Sequence, residues 1–274
     1  MPRKLERIAA VARLVTIDGL RRHALIGLVA LAVAAQLGAL FFVDFIPRDI
    51  GRAAADFILS MAWLTGFIFL FFHGVQVMAL DEEKRVVYAL LARPISRGEY
   101  VLGVFTGLAF LLLLLNLLLA AIGFAALLLI KQMVQEIYFT HLGVPAYLLA
   151  WLGLYATQLM LLAVILLFSG LVRGSFPVLL VSLAYYAICS GLPVVREAVA
   201  QRSAAEGAGG LALLLQGLTA FFPDLTRLDF KNSITIAGSG PEPWQAALGF
   251  SLAGGYAALA LWLACVVYQR RDLQ

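Results

Sequence analysis

Residues 100–130 run for 31 positions without one charged side chain. A helix of that composition has no aqueous face and stands only where hydrocarbon surrounds it. In a bilayer each backbone N–H and C=O needs a partner within its own segment, so such a run folds as a helix. The pattern recurs, and six spans fit: 24–46, 55–80, 100–130, 146–172, 176–195 and 244–267. The third exceeds the ~20 residues that cross a bilayer, so it must tilt or project. Composition agrees: 63% of residues are hydrophobic and 13% charged, about half the ~25% charge of a soluble domain. The expected architecture is all-α, a single polytopic membrane domain over residues 1–274.

An even number of spans puts both termini on one side. That side would carry Arg3, Lys4, Arg7, Arg13, Arg21, Arg22, Lys84, Arg85, Arg93, Arg97, Arg173, Arg270 and Arg271, for a net +6 against −2 opposite. The positive-inside rule therefore places both termini in the cytoplasm. Because the basic residues follow topology rather than forming a patch, the net charge of +4 implies no nucleic-acid partner. Ala32-Val33-Ala34 has the form of a signal cleavage site, but the apolar run continues to Ile46, too long for a signal peptide. It is read as an uncleaved first span.

Ahead of that span, Leu5, Ile8, Val11, Ala12 and Val15 recur at helical spacing among Arg3, Lys4, Arg7 and Arg13. This predicts a basic amphipathic helix over about 3–20 on the inner leaflet, either a plain anchor or a partner contact. A second apolar patch, 211–222, is too short to cross and predicts a re-entrant or interfacial helix within the outer segment 196–243.

Polar groups inside spans are expensive and few. His73, Gln76 and Asn116 are candidates to line a pathway. For His73 the alternative is packing near a wet helix end. For Asn116, as for Gln36 and Gln158, it is a hydrogen bond between helices, averaging under about 1 kcal/mol. Gly103 and Gly107 form a GxxxG pattern, and Gly249, Ala253 and Ala257 a small-residue stripe; both permit close helix approach, within the chain or across a dimer.

Catalytic and metal sites are not expected. The three histidines are scattered without ligand spacing, and Cys189 and Cys265 sit in apolar segments as small hydrophobes. No HExxH occurs, no serine has glycine at both −2 and +2, and no histidine follows His141 to serve Ser251. The four lysines follow Arg3, Glu83, Ile130 and Phe230, never the glycine of a phosphate-binding loop.

The loop 81–98 interrupts this apolar chain. Val86, Val87, Leu90 and Leu91 make a narrow helical stripe flanked by Lys84, Arg85 and Arg93. Pro94 ends that short helix. Ser96 and Glu99 then have the spacing of a capping box, Ser96 as N-cap and Glu99 at the third position of the next helix. The result is a surface rod joined to the third span by a stiff corner, or an ordinary turn whose charges only fix topology.

The run DEEKRVVYALLARPISRGEYVLG resembles the cytoplasmic loop of permease subunits of ATP-binding-cassette (ABC) transporters of the type-2 exporter class. The shared positions are Asp81, Glu82, Glu83, Lys84, Arg85, Leu90, Leu91, Pro94, Ser96, Arg97, Glu99 and Gly103. Six spans, the basic N-terminal helix, the ending YQRRDLQ and the segment FFPDLTRLDF at 221–230 are similar too; Val104 stands where that class often has lysine. The resemblance implies that Glu82, Glu83, Lys84, Arg85, Leu90, Leu91, Arg93, Pro94, Ser96, Arg97 and Glu99 form a coupling helix and corner touching a separate ATP-binding subunit. ATP and magnesium would sit on that partner and no cofactor on this chain, which would not itself be an enzyme. A second permease copy, export and the prokaryotic inner membrane are also implied. Two other classes stay open: an ion-gradient transporter, which would want carboxylates at mid-membrane where only Asp44 and Asp56 lie near span ends, and a non-transporting anchor or assembly subunit.

Overall fold

The computed structural model describes residues 2–38, 40, 50–78, 95–133, 143–206, 222–230 and 242–270. Helices carry almost all of them, and no strand occurs among the described residues. α1 is Pro2–Arg21, α2 His23–Leu37, α3 Ile50–Ile68, α4 Arg97–Met133, α5 Val144–Leu171, α6 Ser175–Glu206 and α7 Pro243–Arg270. α3 continues through a π-helical turn, Phe69–Gly74, as far as Met78. A short 3-10 turn, Leu225–Leu228, precedes α7. Five helices, α3 to α7, are each long and apolar enough to cross a membrane, and α1 with α2 forms a further pair bent by 65°. The protein is a polytopic all-α membrane protein.

The first expected span is described only in part, and the fifth runs longer than expected. The first span shows only as α2, whose 15 residues fall short of a crossing by themselves; residues 41–49 lie outside the described ones. α6 runs on to Glu206 with Pro193 inside it, since neighbouring groups can satisfy the carbonyl that a proline leaves free in such helices. Of the 211–222 patch only Phe222 is described, so a re-entrant helix there lies outside the described residues.

α5 is the central helix: 67% of its apolar window is buried, against 22% for α6 and 17% for α7. α4 buries Tyr100, Val104, Leu108, Leu111, Leu115 and Leu119, at the three-to-four spacing of one helix face, and packs on α1 as well as on α5 and α7. Its opposite face shows Phe110, Leu114, Leu117 and Leu118 to the outside. Such an apolar exterior suits lipid, where van der Waals fit rather than water exclusion holds helices together.

The helix ends sort into two groups. Gly170 near the end of α5 lies against Val267 near the end of α7, so these helices run parallel. Arg97 at the start of α4 bonds the last turn of α7, and Glu99 pairs with Arg7 of α1. The beginning of α1 and the end of α7 therefore share one end of the bundle. α5 turns into α6 at that same end through Gly174, whose φ of 92° is a backbone state that only glycine adopts freely.

Candidate coupling junction

Of the residues expected to meet a partner, Glu82, Glu83, Lys84, Arg85, Leu90, Leu91, Arg93 and Pro94 lie outside the described residues, as does the short helix expected over them. From residue 95 on the chain is described, and the capping box forms. The Glu99 N–H donates to Ser96 Oγ at 3.2 Å, and the Ser96 N–H donates to Glu99 Oε2 at 2.9 Å. Two of the four N–H groups that a helix start leaves without intrahelical partners are thereby satisfied. The box fixes where α4 begins and the direction in which the chain enters it.

Three further contacts tie this start to both ends of the chain. Arg7 of α1 reaches Glu99 Oε2 at 3.7 Å. Arg97 Nη1 donates to the carbonyls of Gln269 (3.1 Å) and Tyr268 (3.5 Å), placing a cation on the negative end of α7, where carbonyls lack helical partners. Tyr100 and Tyr268, each 1% exposed, stack with ring centroids 5.8 Å apart. Gly98 makes the approach close, because a Cβ there would lie 3.3 Å from Gln269 Nε2. Four residues of α4 thus hold α1 and α7 together.

The GxxxG pattern is filled from within the chain. A Cβ on Gly103 would stand 2.6 Å from Val11 Cβ, and one on Gly107 would stand 2.9 Å from Val15 Cβ and 2.8 Å from the Ala12 carbonyl. Arg7 meets Glu99, Val11 meets Gly103, Val15 meets Gly107 and Gly19 meets Leu111. Each pair is separated by the same 92 positions, so α1 runs parallel to α4 with matched four-residue ridges. The N-terminal helix is therefore more than a loose surface anchor: one face is packed along the first turns of α4. Its other face carries exposed Leu5, Leu14, Ile17 and Leu20, which suits the leaflet expected beneath it.

The polar residues of the spans do not gather at one place. His73 sits in the π-helical turn, 6% exposed, with Nε2 unpartnered and 3.3 Å from where a Gly19 Cβ would be; its ring lies 5.2 Å from that of Phe69. Gln76, one turn on, is half-buried. Asn116 instead faces α5, its Nδ2 donating to Gln158 Oε1 at 2.7 Å and to the Leu112 carbonyl at 2.8 Å. Gln36 of α2 donates to the Ile58 carbonyl of α3 at 3.4 Å. The Asn116 and Gln36 bonds each join two helices.

Sequence reasoning places Arg7 in the basic N-terminal helix and has Tyr100, Tyr268 and Gln269 inside quoted runs, but gives none of them a contact at this junction. A signal for Arg7 was present: the four-residue steps Arg7, Val11, Val15 mirror Glu99, Gly103, Gly107. For the contacts with α7 no local pattern gives notice, because they join positions some 170 residues apart. No groups of three or more His, Cys, Asp or Glu able to hold a metal occur among the described residues. No protein-family model matches this sequence, and no curated protein matches it.

Proposed function

We propose that this chain is the membrane subunit of an ABC exporter of the type-2 class. It forms the substrate pathway, while a separate ATP-binding subunit docks on loop 81–98 and hydrolyses ATP. The observation that carries this reading is the junction at 96–100. A load applied to the loop arrives at a capped helix start that is already bonded to both α1 and α7. On this reading the junction end faces the cytoplasm, two copies assemble with two ATP-binding subunits, and closure of those subunits moves α4 and α3 as packed bodies.

Co-purification tests it. The chain alone should show no ATPase activity, and it should retain a P-loop ATPase encoded beside it. Arg93→Glu with Arg97→Glu should abolish that association. Stable association after 84–93 is replaced by a Gly-Ser linker would refute the proposed docking.

A further inference from the structure

The bend between α1 and α2 sets positive charge beside an apolar groove. The two helices meet at 65°. Arg21, Arg22 and His23 stand at the vertex, just ahead of the apolar run that starts at Ala24. Arg22 Nε and Nη2 both donate to Asp18 Oδ2, at 2.9 and 2.8 Å. Its Nη1 donors stay uncommitted, since a guanidinium carries five N–H bonds. Arg21 is exposed and makes no ion pair among the described residues. Two guanidiniums thus stand over one carboxylate, and the vertex is positive.

A groove of about 240 Å³ opens here, with Leu20 and Leu25, on either side of the bend, among its walls. Phe69, Leu111 and Leu115 form its buried floor, and Ile26, Leu114 and Leu118 its exposed rim. Every residue lining it is apolar. Gly19 lies against Leu111, so the charged vertex sits at the Leu111 end and the groove leads away from it along α4. From Leu111 to Leu118 it runs about 10 Å at 1.5 Å per residue, roughly two thirds of the ~15 Å of hydrocarbon in one leaflet. Arginines at the start of a span lie at the headgroup level. The groove therefore begins where a lipid carries its phosphate and follows the course of its chains.

We propose that this groove seats an anionic phospholipid of the bilayer. One acyl chain lies along Leu111, Leu115 and Leu118, and the phosphate sits on Arg21 and Arg22. Basic residues beside a cleft between membrane helices recognise lipid headgroups in this way. A zwitterionic lipid offers the same phosphate but brings its own cation up to the arginines. The site lies within one chain and needs no ATP-binding partner, so it stands or falls separately from the exporter reading.

The test is equilibrium binding of phosphatidylglycerol to the purified full chain in neutral maltoside detergent, read by native mass spectrometry. Saturable binding of one phosphatidylglycerol per chain is expected, about tenfold tighter than phosphatidylcholine. Arg21→Gln should weaken phosphatidylglycerol about fivefold, and adding Arg22→Gln should bring it down to the phosphatidylcholine level. Arg21 is exposed, so its change leaves the fold intact, as an unchanged melting temperature would verify. Leu114→Trp fills the groove from its rim, keeps both arginines and should weaken both lipids by about tenfold or more. Lys131→Gln, at the far end of α4, should bind like the parent. Glycerol phosphate, the free headgroup, should bind roughly 50-fold more weakly, the worth of three buried methylenes. Equal affinity of the parent for the two lipids would overturn the charged seat, as would an equal loss in Lys131→Gln and Arg21→Gln. Glycerol phosphate binding as tightly as the lipid, or parent-like binding by Leu114→Trp, would overturn the groove.

Discussion

The α1–α4 seam gives the sharpest expectation, because two glycines set its spacing. In Gly103→Ala the new Cβ falls 2.6 Å from Val11 Cβ, while carbon atoms rest at ~3.5–4.0 Å. α1 must withdraw by about 1 Å, a gap that costs the lining atoms a quarter to a half of their dispersion energy. Gly107→Val adds branches where a single Cβ already meets the Ala12 carbonyl at 2.8 Å and Val15 at 2.9 Å. Overpacking of this kind costs about 1–3 kcal/mol, which shifts the docked-to-undocked ratio of α1 by roughly 5- to 150-fold. Hydrogen exchange on the purified protein should show amides of 4–20 exchanging faster, in the order parent, Gly103→Ala, Gly107→Val, with the interior of α5 unaffected. Gly254→Ala is the control, since a Cβ there meets nothing within 4 Å. Exchange over α1 that is identical in Gly107→Val and the parent would show that the seam is absent.

Two further perturbations address other joints. Ser96→Ala removes the hydroxyl that accepts from the Glu99 N–H and should cost about 1 kcal/mol, seen as faster exchange in the first turn of α4. A Cβ on Gly66 would collide with the Gln158 amide, so Gly66→Ala should lower the melting temperature, with a cost of about 1–3 kcal/mol. Adding Gln158→Ala removes the obstruction and should restore part of that loss, although Asn116 gives up its partner on α5. Strict additivity of the two changes in thermal unfolding would refute the contact.

How much of this was legible beforehand follows from the range of the interactions. The spans were readable because a long uncharged run has one solution in lipid, and the capping box because its two bonds close within four residues. The long third span was expected to tilt or project; α4, about 55 Å long at 1.5 Å per residue, keeps its first turns covered by α1. The GxxxG pattern announced a close approach but not its partner. Only the constant offset of 92 between two four-residue series selects α1, and that offset has meaning once a parallel pairing is assumed. The π-helical turn left no such trace. In it Phe69, Leu70, Phe71 and His73 are buried while Phe72 between them is exposed, a pattern that no simple hydrophobic periodicity announces. Phe67 and Phe71 there pack against Tyr186 of α6 at 4.8 and 6.3 Å, a contact set by tertiary fit.

These joints differ in stiffness, and the difference bears on how work could cross the bundle. α4 is an unbroken helix from Arg97 to Met133, so a tilt of about 5° about its Ser96 end carries the far end about 5 Å on a rod of that length. Midway along it, Asn116 is bonded to Gln158 on the most buried helix, and α5 must follow or that bond must break. α3 has a different build: its π-helical turn lies beside Gly19 at the α1–α2 bend, where buried His73 has an unpartnered nitrogen. An irregular turn next to a bend is the cheaper place to absorb motion. If a partner drives this protein through its 81–98 loop, α4 and α3 move together and α3 bends at its π-helical turn, beside His73.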